Sequence, residues 1–226
     1  MKTLILCSNL FPGSKEEPFL RTECPFLEGE FDRIYIHKNE TGLSAEIGEY
    51  NFITKSKDTT SIRGLVKQSW KLLLSAWFTE LIRSHKPLLY LKSFRKYFNI
   101  WIGWLQEAKG WEQVLSDFDP EGTVIYTYWY EQQANALSVL RAQGKLPFKW
   151  VTRAHGWDVD RRQRVDRVIP FRNWMLKNRP NHVVSISSFG ASIFKKNYKS
   201  TVEVAKLGTP DLGLGTMPTE SNKLQL

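Results

Sequence analysis

Val151-Thr152-Arg153-Ala154-His155-Gly156-Trp157-Asp158 is the segment best equipped for chemistry in this chain. A histidine leaving a strand, followed by a glycine, turns an imidazole and open backbone amides toward a ligand. Imidazole can donate to a sugar hydroxyl or to developing oxyanion charge. Spacing alone leaves a second reading open, in which His155 is a satisfied histidine packed beneath a loop. Arg153, Gly156 and Asp158 are its polar or open neighbours. A second segment is Phe11-Pro12-Gly13-Ser14-Lys15-Glu16-Glu17-Pro18-Phe19. A loop holding Gly13 at a helix start can approach a phosphate closely. It has one glycine, no GxGxxG, and carboxylates that would repel a phosphate. A dinucleotide site is therefore disfavoured, and Glu17 and Glu23 become candidates to accept hydrogen bonds from sugar hydroxyls. The other reading is a solvated helix start.

The third feature spans 61–105, where eight Lys/Arg stand against one acid, Glu80. Trp70, Trp77, Trp101 and Trp104 share the stretch. Basic side chains interleaved with tryptophan, phenylalanine and leucine suit an anionic membrane surface, and Lys92, Arg95, Lys96, Trp101 and Trp104 are the residues expected to meet it. The competing reading is that the aromatic stripes are core contacts.

Elements that would position these residues alternate along the chain, short apolar runs with longer amphipathic ones, as in βα units around a parallel sheet. Strands are expected at 3–7, 34–36, 51–53, 123–128, 149–152, 182–186 and 202–206. Helices are expected at 18–29 with a kink or break at Pro25, at 131–143, at 161–177 broken at Pro170, and from a Ser187 or Ser188 cap to about 197. Between 61 and 105, Trp70, Leu73, Trp77 and Leu81, and then Tyr90, Phe94, Phe98, Trp101 and Leu105, recur at helical spacing on either side of Pro87. They predict two long helices inserted around 61–118 in the α/β pattern. In such a sheet ligands bind outside the carboxyl ends of strands, where strand order reverses. The segments 8–17, 128–133 and 153–158 all follow predicted strands.

Hydrophobic content of 42% with 24% charged residues is ordinary for a globular domain. The net charge of +9 favours anionic partners. Cys7 and Cys24 cannot make a disulfide framework or a zinc site, so reduced thiols buried in packing are expected. The apolar start of the chain is too short for a signal peptide, and no run approaches the roughly 18 residues of a spanning helix. A cytoplasmic chain follows as the expectation. No RRM, KH, helix-turn-helix or zinc motif appears, so no nucleic acid is expected as partner.

The run 153–158, together with Ile169-Pro170-Phe171-Arg172, Val183-Val184-Ser185-Ile186-Ser187 and Val202-Glu203-Val204-Ala205-Lys206-Leu207-Gly208, resembles the family 4 retaining glycosyltransferases. Phe11-Pro12 followed by Glu17, Phe19 and Glu23 fits the same pattern. The likeness covers most of the chain, with little of it in 38–120. It implies the GT-B architecture, two Rossmann-like domains facing a cleft, with residues 1–207 as the acceptor-side domain and 208–226 as interdomain linker or tail. By this resemblance His155 reaches the donor sugar, the 13–17 loop lines the acceptor and phosphate side, and Ser187 sits nearby. No metal or cofactor is implied; a nucleotide sugar is the co-substrate. The family's basic pair and paired glutamates for the donor are missing. The chain alone is therefore expected to be inactive, with a nucleotide-sugar domain supplied in cis or in trans and a hexose transferred to a glycan or lipid-linked glycan. The alternative is a non-catalytic module that binds a glycan or an anionic membrane, at whose inner face it would sit peripherally.

Overall fold

Every residue of Thr3–Ser8 is buried, as a strand must be when helices cover both faces of its sheet. In the computed structural model, which describes residues 1–9, 11, 17–38, 51–53 and 61–208, this segment is the central strand β1. The others are β2 (Arg33–Lys38), β3 (Asn51–Phe52), β4 (Thr123–Thr127), β5 (Lys149–Ala154), β6 (His182–Ser185) and β7 (Glu203–Val204). All pair in parallel in the order β3-β2-β1-β4-β5-β6-β7. This is the Rossmann-like α/β sheet that the alternating pattern predicts, with its order reversing between β1 and β4.

Strand periodicity sorts the core. Leu4 and Leu6 of β1 point to one face with Ile34, Ile36 and Tyr126, and α1 (Pro18–Glu30) closes that side with Leu20 and Cys24. Ile5 and Cys7 point to the other face, which is covered chiefly by α4 (Phe94–Leu115) and α5 (Gln132–Ala142). Cys7 and Cys24 are both buried and form no disulfide. Helix α1 continues through Pro25, so the expected break there does not occur.

Between β3 and β4 lie α2 (Ile62–Arg83), α3 (Pro87–Lys92) and α4. Ser61 caps α2, its hydroxyl accepting from the Gly64 N–H at 3.2 Å. Two expectations are corrected here. Trp101 is 0% and Trp104 6% exposed, so both belong to the core and offer nothing to a membrane. Both rings pack against Phe171, and Trp101 also against Trp174.

The expected helix over 161–177 is also absent. That stretch holds a single 3-10 turn at Arg161–Gln163 and the short α7 (Arg172–Met175). Pro170 lacks the N–H a helix needs, and Arg167 and Phe171 take left-handed φ values of 53° and 50°. Such a backbone costs a bulky residue on the order of 1 kcal/mol or more. Phe171 is held there by what surrounds it. Its N–H donates to the Tyr90 hydroxyl at 3.0 Å, and its ring meets Trp77, Tyr90, Trp101 and Trp104 at centroid distances of 5.0, 5.4, 5.4 and 5.6 Å. The side chain is wholly buried.

Glu80 completes the anchorage. It is 1% exposed and accepts from the Trp174 N–H at 3.0 Å and the Asn173 amide at 2.8 Å, which ties α2 to α7. Burial raises its pKa against these hydrogen bonds. Truncating Phe171→Ala should cost about 3–5 kcal/mol of unfolding free energy, read from denaturant melts. A loss under about 1 kcal/mol would show that the helical insertion does not close around this ring.

Candidate functional site

The loops after β1, β4, β5 and β6 emerge on one rim, since register pairs Cys7 with Thr127, Thr127 with Thr152 and Ala154 with Ser185. Beneath this rim the Thr127 and Thr152 hydroxyls meet at 2.6 Å, and the Trp150 indole N–H donates to Thr127 Oγ1 at 3.2 Å. Helix α6 (Gly156–Val159) begins directly after β5, with His155 as its N-cap residue.

His155 is 7% exposed. Its Nε2 lies 3.0 Å from the Tyr128 carbonyl oxygen, which can only accept, so Nε2 carries the proton. Its ring packs against Trp129 and Tyr128 at centroid distances of 4.2 and 4.7 Å. Burial lowers its pKa to about 4, with nearby Arg153 adding to the effect and the Tyr128 bond opposing it. The imidazole is therefore neutral near pH 7. It can make polar contacts to a ligand, but it brings no positive charge to a developing oxyanion.

Asp158 is the deepest acid of the site, fully buried. Its Oδ2 accepts from the backbone N–H of His155 at 3.0 Å and of Tyr130 at 3.2 Å. The loops after β4 and β5 are thereby clamped together. Burial pushes its carboxyl up to about 7, while these N–H groups and Arg172 pull the other way. Arg172, 1% exposed, donates to the carbonyls of Tyr130 at 2.7 Å and Asp158 at 3.2 Å, and its guanidinium stacks 3.8 Å from the centre of the Tyr130 ring. So Asp158 positions the rim and is not offered to a ligand.

Glu17 is corrected in the same way. It is 1% exposed, and its carboxylate accepts from the Phe11 N–H at 2.6 Å, the Asn9 N–H at 3.1 Å and the Trp129 indole at 2.6 Å. Those donors occupy the oxygens a sugar hydroxyl would need. Glu23 and Arg153 are brought together at 2.8 Å, and the Tyr126 hydroxyl bonds the same carboxylate at 3.3 Å. Burial raises the Glu23 pKa, opposed by Arg153 and Tyr126. This pair links α1 to β5. The Ser187 hydroxyl accepts from the Gly190 N–H at 3.1 Å as cap of α8 (Ser188–Tyr198). A Cβ at Gly190 would stand 2.3 Å from Ser185 Oγ, so any larger residue here would displace the Ser185 hydroxyl from its bond to the Ser187 carbonyl. Gly156 opens α6 and is exposed; Gly13 lies outside the described residues.

An open cavity of about 370 Å³ adjoins this cluster. Tyr130, Glu131, Gln132 and Asn135 line it from the β4–α5 connection, and Asn99 and Gly103 from α4. Asn135 Oδ1 is buried without a hydrogen-bond partner among the described residues. Sequence reasoning reached the 128–133 loop but not the α4 wall, because a helical insertion carries no strand-end signal. Among the described residues no cluster of His, Cys, Asp and Glu is arranged to hold a metal.

The two buried titrations act in opposite directions. Asp158, with its folded pKa above 3.8, takes stability away as pH rises from about 4 to 7, whereas His155, depressed below 6.5, adds stability as pH rises from about 4 to 6.5. Replacing Asp158→Asn removes the first slope only. The unfolding free energy of the variant relative to the unchanged protein should then rise by about 4 kcal/mol between pH 4 and 7 in denaturant melts. A pH-independent difference would show that Asp158 stays ionised throughout.

A scan against protein-family models finds no match for this chain, and a search of curated proteins finds none.

Proposed function

We propose that this chain is the acceptor-binding half of a glycosyltransferase that moves a hexose from a nucleotide sugar to a glycan or lipid-linked glycan. The observation that carries the reading is the position of His155-Gly156. The residues that resemble the family's motif fall at the carboxyl end of β5, one strand from the reversal of sheet order, where α/β sheets take polar ligands. The cavity that adjoins this rim carries the amides of Asn99, Gln132 and Asn135 together with Glu131 and Arg164, groups able to exchange hydrogen bonds with sugar hydroxyls.

In this reading the acceptor occupies the cavity between α4 and the β4–α5 connection. Its hydroxyl oxygen bonds to the anomeric carbon as the bond from that carbon to the diphosphate oxygen breaks. The hydroxyl proton passes to the departing phosphate. His155 contributes a neutral, rigidly packed contact next to the donor sugar, and a second domain, in cis or in trans, holds the nucleotide. Transfer depends on both halves of the site positioning the reacting groups together.

The test uses a polypeptide that joins this chain to a donor-binding domain. His155→Asn, which keeps a polar side chain at the rim, should lower transfer about a hundredfold while the protein stays folded at the assay temperature. Gln132→Leu, at an exposed cavity position, should raise the acceptor KM about tenfold and leave the donor KM unchanged. If His155→Asn reduces activity only in parallel with folded protein, His155 belongs to the loop alone. If neither variant changes transfer, the proposed acceptor site is wrong.

A further inference from the structure

The outward face of α2 is built unlike the surface of an ordinary solvated helix. Trp70, Leu74, Phe78 and Ile82 recur every fourth residue and are 49%, 57%, 66% and 65% exposed. At 100° per residue, Lys67 and Lys71 fall on the same face as Trp70, Leu74 and Phe78. The Lys71 ammonium lies 5.8 Å from the centre of the Trp70 ring. Beyond Ser84 the pattern continues, with Leu88, Leu91 and Phe94 63%, 55% and 51% exposed. The Phe94 ring packs on Trp77 at 5.0 Å, which joins this corner to the α2 face. Lys92 and Arg95 are exposed beside it.

The face carries one sign of charge. Glu80, the single acid of α2, is buried against α7, and neither α3 nor the first turn of α4 holds a carboxylate. Among the described residues, the acid that approaches from elsewhere is Asp166, which pairs with Lys96 and whose carbonyl accepts from Lys86 at 3.0 Å. Lys96 is therefore engaged within the protein, and Lys67, Lys71, Lys92 and Arg95 supply the open charge. Of the residues that the sequence singles out, Lys92 and Arg95 stay on this surface, Lys96, Trp101 and Trp104 leave it, and the outer side of α2 joins it.

We propose that this face docks on an anionic lipid surface, with α2 lying in the headgroup plane. Large apolar groups in contiguous array mark a surface that is covered by something. The charge complement decides what. A basic rim without open carboxylates among the described residues matches lipid phosphates, and a tryptophan flanked by lysine suits the boundary between headgroups and acyl chains. No helix among the described residues is long and apolar enough to cross a membrane, so docking is along the surface. The proposal stands independently of the glycosyl-transfer reading.

Vesicle co-sedimentation tests it with the whole chain, using phosphatidylcholine alone and phosphatidylcholine mixed with phosphatidylglycerol. The chain should bind the anionic vesicles at least about tenfold more tightly than the neutral ones, and Lys67→Glu with Lys71→Glu should abolish the difference. Leu74→Ser with Phe78→Ser should weaken anionic binding about tenfold or more without lowering the thermal midpoint, since both side chains are exposed. For the unsubstituted chain, brominated lipid should quench tryptophan fluorescence, and Trp70→Phe should remove most of that quenching. No binding to anionic vesicles, binding indifferent to Leu74 and Phe78, or quenching unchanged by Trp70→Phe would each overturn the proposal. So would a dimer in sedimentation velocity that Leu74→Ser with Phe78→Ser dissolves while vesicle binding stays absent, because the face would then cover a second copy.

Discussion

One buried carboxylate organises the rim on which the functional reading rests. Asp158 accepts from the backbone of His155 and of Tyr130, and so joins the loops that leave β4 and β5. Without it two buried N–H groups would have no partner, at a cost of about 1–3 kcal/mol each. Arg172 reinforces the clamp from below through the carbonyls of Tyr130 and Asp158. The consequence for function is a preorganised edge. His155 and Trp129 are set by packing and backbone hydrogen bonds before any ligand arrives, which is the condition for a site to position a substrate with little reorganisation.

The helical insertion serves the same rim from the other side. Phe171, in a left-handed backbone, is gripped by rings from α2, α3 and α4, and the next residue is Arg172. Packing of the insertion is thus coupled to the clamp under the loops. It also divides the aromatic content of the insertion in two. The inner rings hold the fold, and the outer ones, Trp70 and Phe78 among them, are left for an interaction surface.

Much of this architecture is legible in the sequence because buried parallel strands read as short apolar runs, and each of the seven strands overlaps a range where one is expected. The stretch 161–177 misleads for a local reason. A break is expected at Pro170, but the left-handed Arg167 and Phe171, which tertiary packing decides, leave only a 3-10 turn and the short α7. Site residues were legible as positions rather than as roles. The strand-end rule points to the rim where Glu17, His155 and Asp158 lie, yet which carboxylate is open and which is satisfied by backbone N–H groups depends on loops brought together across the sheet. Trp101 and Trp104 fail for a similar reason, since helical spacing finds a stripe but cannot tell which of two stripes faces the core.

The most direct test of the central claim is whether the cavity between α4 and the β4–α5 connection takes a glycan. Backbone amide shifts of residues 130–135 can be followed by NMR as hexose-terminated oligosaccharides are added to the chain. The account predicts saturable shifts centred on Gln132 and Asn135 that a nucleotide alone does not produce. Shifts produced by the nucleotide and not by any glycan, or none with either, would contradict the assignment of this half as the acceptor side.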